Sequence, residues 1–127
     1  MNRKVCLLSL VAIGILAAAA VGLVYAAASA AKGYVIAEIT VIDAEAYKQY
    51  AAAVPSIASK FGGKYLVRGG KTVAIEGAPP EGRIVVLEFD SLAAAQSFEN
   101  SADYQAIAPL RQKAARSRVF LAEGLSP

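Results

Sequence analysis

The sequence contains no histidine, and its single cysteine, Cys6, lies near the amino terminus. Histidine and cysteine supply the imidazole base, the thiolate nucleophile and most of the side chains that bind zinc. Beyond the amino-terminal segment, a disulfide, a Ser-His-Asp triad, a Cys-His pair and a zinc site with such ligands are therefore excluded. Acid–base chemistry would have to use Asp, Glu, Tyr, Lys or Arg. We expect no metal ion and no other cofactor.

Charge is missing from residues 5–31, which follow a basic start at Arg3 and Lys4. A basic start, an apolar middle and a small-residue end are typical of a secretory signal peptide. Residues 1–30 are therefore predicted to be a signal peptide, and the protein is predicted to be exported, either periplasmic or secreted. The uncharged run is also long enough to span a bilayer, so an uncleaved anchor in the cytoplasmic membrane is the alternative.

The excess of basic residues over acidic ones comes largely from this leader. The whole chain has 13 basic and 10 acidic residues, but without Arg3 and Lys4 only 11 basic residues face those 10 acidic ones. A balance this even gives no argument for nucleic acid as a partner. Residues 33–124 are enough for one small domain, and a core of that size gains stability when one face is buried against a partner.

Runs rich in β-branched residues alternate with helical patterns along this domain. The predicted strands are residues 34–42, 64–68, 72–76, 83–90 and 119–123, and the predicted helices are residues 44–61, 92–100 and 103–117. Asp43 and Ser91 are expected to cap the first two helices, and Pro55 and Pro109 to kink or break the helical runs that contain them. The order β-α-β-β-α-β predicts a ferredoxin-like α+β fold, with a four-stranded antiparallel sheet and its helices on one face.

The pair Gly69-Gly70 has two interpretations. It could be a glycine bulge within a single bent strand that continues to Glu76, or it could be a tight hairpin turn. A hairpin would place the like charges of Arg68 and Lys71 opposite each other, which favours the bulge.

Several motifs resemble the family called domain of unknown function 1330. They are Asp43-x3-Tyr47-x2-Tyr50, Phe61-Gly62-Gly63-Lys64-Tyr65-Leu66-Val67-Arg68-Gly69-Gly70, Glu76-Gly77, Arg83, Glu88-Phe89, Tyr104-Gln105 and Pro109-Leu110-Arg111. The resemblance covers nearly the whole domain, and it implies a homodimer in which two ferredoxin-like sheets form an α/β-barrel. It implies no reaction, because the family has no established one. Related families bind metal or haem commonly through histidine, which this chain lacks.

Charged residues within apolar strands are the first candidates for ligand binding. Arg68, Glu88 and Glu38 could project from neighbouring strands onto one face of the sheet, inside the barrel. A cation and two carboxylates there could orient a small polar or anionic ligand. The alternative is a structural ion pair between strands that fixes their register or the dimer.

Aromatic residues on the helices are the second set of candidates. Tyr47 and Tyr50 lie on the apolar stripe of the first helix, where they could pack in the core or present a hydroxyl at the mouth of a cavity. Tyr104 and Arg111 could serve in the same way. Arg111 could also pair with a carboxylate, Glu76 or Glu99, at the surface.

Three functions are compatible with these patterns. The first is an exported dimeric barrel that binds a small polar or anionic molecule between its sheets. The second is a cofactor-independent enzyme, similar to a monooxygenase or an isomerase, that uses Arg68 with a glutamate or a tyrosine. The third is a structural or interaction module without a ligand. The expected partner is a second copy of the chain, with no nucleic acid, and with a membrane only if the leader is retained.

Overall fold

The computed structural model describes residues 30–127, so the predicted signal peptide or anchor lies outside the described residues except at its carboxyl-terminal end. Within residues 30–127, no helix is both long enough and apolar enough to cross a membrane. Four strands and three helices make up this part of the chain. They are β1 (Gly33–Val41), α1 (Ala44–Lys60), β2 (Lys64–Arg68), β3 (Arg83–Phe89), α2 (Leu92–Glu99), α3 (Ala102–Ala114) and β4 (Ala115–Glu123).

The strands form one antiparallel sheet in the order β2-β3-β1-β4. This is the arrangement that the order of elements in the sequence predicts. β1 and β3 lie in the centre, and their residues alternate between buried and partly buried along each strand. One face of the sheet is therefore covered by the helices, as expected, and the other face is open.

The core lies between the sheet and the helices. It contains the odd-numbered residues of the central strands, such as Val35 in β1 and Leu87 in β3. The two largest fully buried side chains are Phe89 and Phe98, whose rings stack with their centroids 5.3 Å apart. Burial of such apolar surface contributes about 25 cal/mol per Å², so the packing of this face stabilises the domain.

Both predicted helix caps are present. The side chain of Asp43 accepts a hydrogen bond from the backbone N–H of Ala46 at 3.0 Å, and Ser91 accepts one from Ala94 at 3.1 Å. Each cap pairs a backbone donor that the first helical turn would otherwise leave without a partner.

The prediction that prolines break the helices is wrong. α1 runs without interruption through Pro55, and α3 runs through Pro109. A proline inside a helix costs about 3 kcal/mol, because it removes one hydrogen bond and crowds the preceding turn. The buried side chains on both sides of Pro55, Val54 and Ile57, offset that cost by packing against the core.

The predicted strand at residues 72–76 is absent, and both interpretations of Gly69-Gly70 are wrong. β2 ends at Arg68, and residues 70–82 form an exposed loop rather than a bent strand or a tight turn. An antiparallel partner for 72–76 would have to come from the residues just before Arg83. Two prolines there, Pro79 and Pro80, lack the N–H that a strand ladder requires.

The last helix is shorter and the last strand longer than predicted. α3 ends at Ala114, not at residue 117, and β4 begins at Ala115. Without β4, one edge of β1 would have no partner strand. The full length of β1, from Gly33 to Val41, pairs with β4. Pairing the backbone groups of that edge outweighs a further turn of helix.

Candidate functional site

A bulge in β2 decides which side chains face the helices. Tyr65 pairs with Leu87, but Val67 already pairs with Val86, so Leu66 is an extra residue without a partner on β3. A strand without a bulge would point Arg68 to the same face as Lys64. With the bulge, Arg68 lies opposite Val85, a core residue, and therefore on the helix side of the sheet.

The prediction that Arg68, Glu88 and Glu38 share one face is consequently wrong. Both glutamates lie on the open face, where each already has a cation as its partner. Glu88 pairs with Lys64 at 3.1 Å, and Glu38 pairs with Arg118 at 3.1 Å. These contacts are cross-strand ion pairs of the kind expected from the structural alternative.

Arg68 instead lies at the opening of a cavity between the sheet and the helices. About 470 Å³ of the cavity is free of protein atoms when its opening to solvent is included, and about 30 Å³ is available to the centre of a water molecule. Strand residues such as Val35 and Val85 form its floor. Its polar wall residues are Tyr47, Tyr50, Tyr65 and Tyr104 together with Arg68, Arg83 and Glu99.

Two arginines lie at the mouth, each with its guanidinium over the ring of a tyrosine. Arg68 is exposed, and its Nη2 donates to the carbonyl oxygen of Ala51 at 3.0 Å. Its Cζ lies 4.6 Å from the centroid of the Tyr65 ring, and Cζ of Arg83 lies 5.4 Å from that of Tyr47. Such contacts between a cation and an aromatic face hold each guanidinium in place without neutralising its charge.

The inner end of the cavity is a buried polar cluster. The hydroxyls of Tyr50 and Tyr104 are hydrogen-bonded to each other at 3.0 Å. Arg111 is only 8% exposed, donates from Nη1 to Ser117 Oγ, and has its Cζ 5.7 Å from the Tyr50 ring centroid. The expectation that Arg111 pairs with a glutamate at the surface is therefore wrong.

Three buried polar atoms have no hydrogen-bond partner within residues 30–127. They are Glu99 Oε1, Arg83 Nε and Arg111 Nε. Glu99 and Arg83 both line the cavity. Because an unpaired buried polar group costs about 1–3 kcal/mol, these atoms favour a bound water or a ligand that can complete their hydrogen bonds.

Burial also sets the protonation of the cavity wall. It raises the pKa of Tyr47, Tyr50, Tyr65 and Tyr104, so their hydroxyls stay protonated and can donate hydrogen bonds. Burial likewise raises the pKa of Glu99, and the positive charge of Arg111 opposes that rise. The protonated tyrosines and the mouth arginines together suit a negatively charged group.

A second cavity lies on the open face of the sheet, with about 230 Å³ available to the centre of a water molecule. Its charged lining residues are Glu38, Glu81, Arg116 and Arg118, so acidic and basic groups are balanced. Among the residues the structure describes, no group of three or more acidic side chains is placed to hold a metal ion.

The predicted site residues fall into two sets. Tyr47, Tyr50, Tyr104 and Arg68 meet around the helix-side cavity, with Arg111 beside them, whereas Glu38 and Glu88 lie across the sheet. Three wall residues were not among the candidates: Tyr65, Arg83 and Glu99. Alternation along β3 could have indicated Arg83, because it lies two residues before Val85 and so shares its face. No comparable pattern marks Glu99.

This chain is similar to known proteins both in its sequence family and in its fold. A family model described as Domain of unknown function (DUF1330) matches residues 32–125. A protein of unknown function from Rhodopseudomonas palustris is 22% identical with a TM-score of 0.61, over 76% of this chain and 85% of that one. No functionally curated protein matches.

Two more distant structures have the same fold. SnoaB, a cofactor-independent oxygenase from Streptomyces nogalater, is 11% identical with a TM-score of 0.52, over 76% of this chain and 96% of that one. A dimeric ferredoxin-like protein of unknown function from Thermobifida fusca is 10% identical with a TM-score of 0.52, over 74% and 92% of the two chains. At these identities the likeness shows a shared ferredoxin-like fold.

The substitution Glu99→Gln should remove a loss of stability that sets in as the pH rises above about 4.5. Because the folded-state pKa of Glu99 lies above its ordinary value of 4.5, the folded protein holds this proton more tightly than the unfolded chain does. The contribution of Glu99 to stability therefore falls as the pH rises from about 4.5 through its folded-state pKa, and stays reduced above it. Glutamine is neutral throughout, so the variant should be more stable at pH 7 and little changed below pH 4.

Urea unfolding at a series of pH values measures this difference. Glu88→Gln, which removes a carboxylate from the open face and its pairing with Lys64, is the matched control and should not stabilise the protein at pH 7. Parallel stability curves for Glu99→Gln and the natural chain would contradict the assignment of a raised pKa to Glu99.

Proposed function

The chain belongs to the DUF1330 family, whose description names no function, and from the geometry of its helix-side cavity we propose that it binds a small anionic molecule there. The observation that carries the proposal is the pair of arginines at the mouth. Neither Arg68 nor Arg83 forms an ion pair with a carboxylate among the described residues.

Charge distribution across the sheet supports this proposal. On the open face, Lys64 and Arg118 are each paired with a glutamate. The lining of the helix-side cavity contains the two mouth arginines and a single carboxyl group, that of Glu99, whose pKa is raised by burial. A net positive charge at the entrance of a low-dielectric cleft raises the local concentration of anions and strengthens their hydrogen bonds.

The size and walls of the cavity suit a small ligand with an apolar part. The ring centroids of Tyr47 and Tyr50 lie 5.7 Å apart, and those of Tyr50 and Tyr104 lie 6.4 Å apart. Tyrosine rings offer apolar surface and hydroxyl donors together, which suits a planar carboxylate. Entry of a six-membered ring requires a shift of the exposed Arg68 side chain, because the present free volume fits little more than water.

Substitutions at the mouth should weaken anion binding without unfolding the protein. Ligand-observed NMR with benzoate and acetate as probes measures the affinity of the natural chain, Arg68→Ala and Arg83→Gln. Each substitution removes a charge-assisted hydrogen bond of about 1.5–3 kcal/mol, so affinity should fall about tenfold or more. Thermal unfolding checks that each variant is folded.

Arg116→Ala is the matched control, because Arg116 is an exposed arginine in the open-face cavity. It should leave the affinity unchanged. Loss of binding in Arg116→Ala with retention in Arg68→Ala would transfer the site to the open face, between the two sheets of a barrel. Absence of binding for every anion would overturn the proposal.

We also propose that the protein is a homodimer joined through the open face of the sheet. Leu66, Val67 and Phe120 are 52%, 39% and 43% exposed there, beside partly buried Ile36 and Val86 of the central strands. Monomeric proteins seldom leave large apolar side chains grouped on a sheet face in water, and here the group lies beside the ion pairs Lys64–Glu88 and Glu38–Arg118. An equivalent face on a second copy covers it by two-fold symmetry, and the Thermobifida fusca neighbour is dimeric.

Phe120→Glu should dissociate this dimer. A carboxylate placed without a partner in an apolar interface costs about 3 kcal/mol or more, which raises the dissociation constant about a hundredfold. Sedimentation velocity at several protein concentrations measures the change. Leu125→Glu, at a position 95% exposed in the carboxyl-terminal tail, is the control and should remain dimeric. A natural chain that is monomeric at all concentrations would refute the proposal.

We further propose that the protein is exported, on the strength of its uncharged residues 5–31 behind Arg3 and Lys4. Expression of the complete chain in a bacterium, followed by intact-mass measurement on the exported fraction, tests this. The expected mass lacks a leader of about 30 residues, consistent with the usual length of signal peptides. A full-length mass in the membrane fraction would support the anchor instead, and a full-length soluble protein in the cytoplasm would contradict both.

A further inference from the structure

The cavity has a second polar end, and this end indicates what else the ligand carries. We propose that the bound anion is a hydroxyl-bearing carboxylate, whose carboxylate lies at the arginine mouth and whose hydroxyl donates a hydrogen bond to Glu99. This inference rests on the proposed anion-binding function and adds the chemical class of the ligand. It assigns Glu99 as a specificity-determining residue.

The two ends differ in depth and in the elements that form them. Arg68 lies on β2, the edge strand, and its side chain is exposed. Glu99 is the last residue of α2, which packs mainly on β1 and β4, and its Oε1 is buried. A ligand that enters past Arg68 therefore meets Glu99 with the part of the molecule opposite its carboxylate.

The neighbours of Glu99 leave one acceptor free. The hydroxyls of Tyr50 and Tyr104 are hydrogen-bonded to each other, and Nη1 of Arg111 donates to Ser117. Glu99 Oε1 accepts from no group within residues 30–127. A carboxyl oxygen accepts a hydrogen bond from a hydroxyl in either protonation state, so a ligand hydroxyl can pair with it whether Glu99 is charged or neutral.

A neutral donor fits this position better than a second anionic group. An ionised Glu99 repels a ligand carboxylate. A ligand hydroxyl is neutral, so it can donate a hydrogen bond to Glu99 without electrostatic repulsion. The free volume at the scale of a water molecule is about 30 Å³, enough for ordered water in the empty cavity. A ligand hydroxyl can take the place of such a water and reproduce its hydrogen bond, which preserves the interaction on binding.

Matched ligand pairs test the inference with the natural chain alone. Each pair differs by one hydroxyl: acetate and glycolate, propionate and 3-hydroxypropionate, benzoate and 4-hydroxybenzoate. In the pair whose length spans the cavity, the hydroxylated member should bind about tenfold more tightly, the effect of one additional hydrogen bond. If the anions bind but no pair shows this preference, the inference is overturned and anion binding stands. If no anion binds, the proposed function has failed as well.

Variants of Glu99 then locate the preference. Glu99→Leu should abolish the advantage of the hydroxylated member over its unhydroxylated partner, because leucine removes the acceptor. Glu99→Gln keeps a carbonyl acceptor and should retain part of the advantage. Glu88→Leu, on the open face, should change neither affinity. A preference that survives intact in Glu99→Leu would show that the hydroxyl pairs elsewhere.

Discussion

The structure depends on the alternation of side chains between the two faces of its sheet. In β1 and β3 the odd-numbered residues pack under the helices, while the even-numbered residues point to the open face. A shift of one residue in either strand would move its whole apolar set out of the core, at about 25 cal/mol for each Å² of apolar surface exposed. Burial therefore fixes the register, and the helices, the cavity and the ion pairs take their positions from it.

The bulge at Leu66 changes this alternation in β2, and it determines the chemistry of the cavity. Regular alternation without the bulge would place Arg68 on the open face, on the same side as Lys64 and opposite Ile84. With it, Arg68 crosses to the helix side and contacts Ala51 and Tyr65. The bulge therefore places a cation on the face that is lined by tyrosines and not on the face that already holds carboxylates. The positive charge at the mouth of the cavity follows from this strand geometry.

Features that depend on local sequence could be predicted, and features that depend on distant partners could not. The caps at Asp43 and Ser91 and the order of strands and helices follow from nearby residues. The bulge at Leu66 contains no glycine or proline that would indicate it in the sequence. The glycines Gly69 and Gly70 suggested a bulge three residues too late. Segment 72–76 has strand-forming side chains but no described strand to pair with. The burial of Glu99 arises only when α3 brings Tyr104 and Arg111 beside the end of α2.

The two faces of the sheet suit different interactions, and β2 is the element that connects them. Lys64 and Leu66 belong to the open face, where opposite charges are paired and apolar side chains suit a second copy of the chain. Tyr65 and Arg68 belong to the cavity mouth. A partner on the open face would leave the mouth accessible, because Arg68 leans toward α1 and away from that face. It would also restrain an exposed edge strand. A restrained β2 holds Arg68 in place at the proposed anion site, so association would favour the proposed binding without contributing a residue to the site.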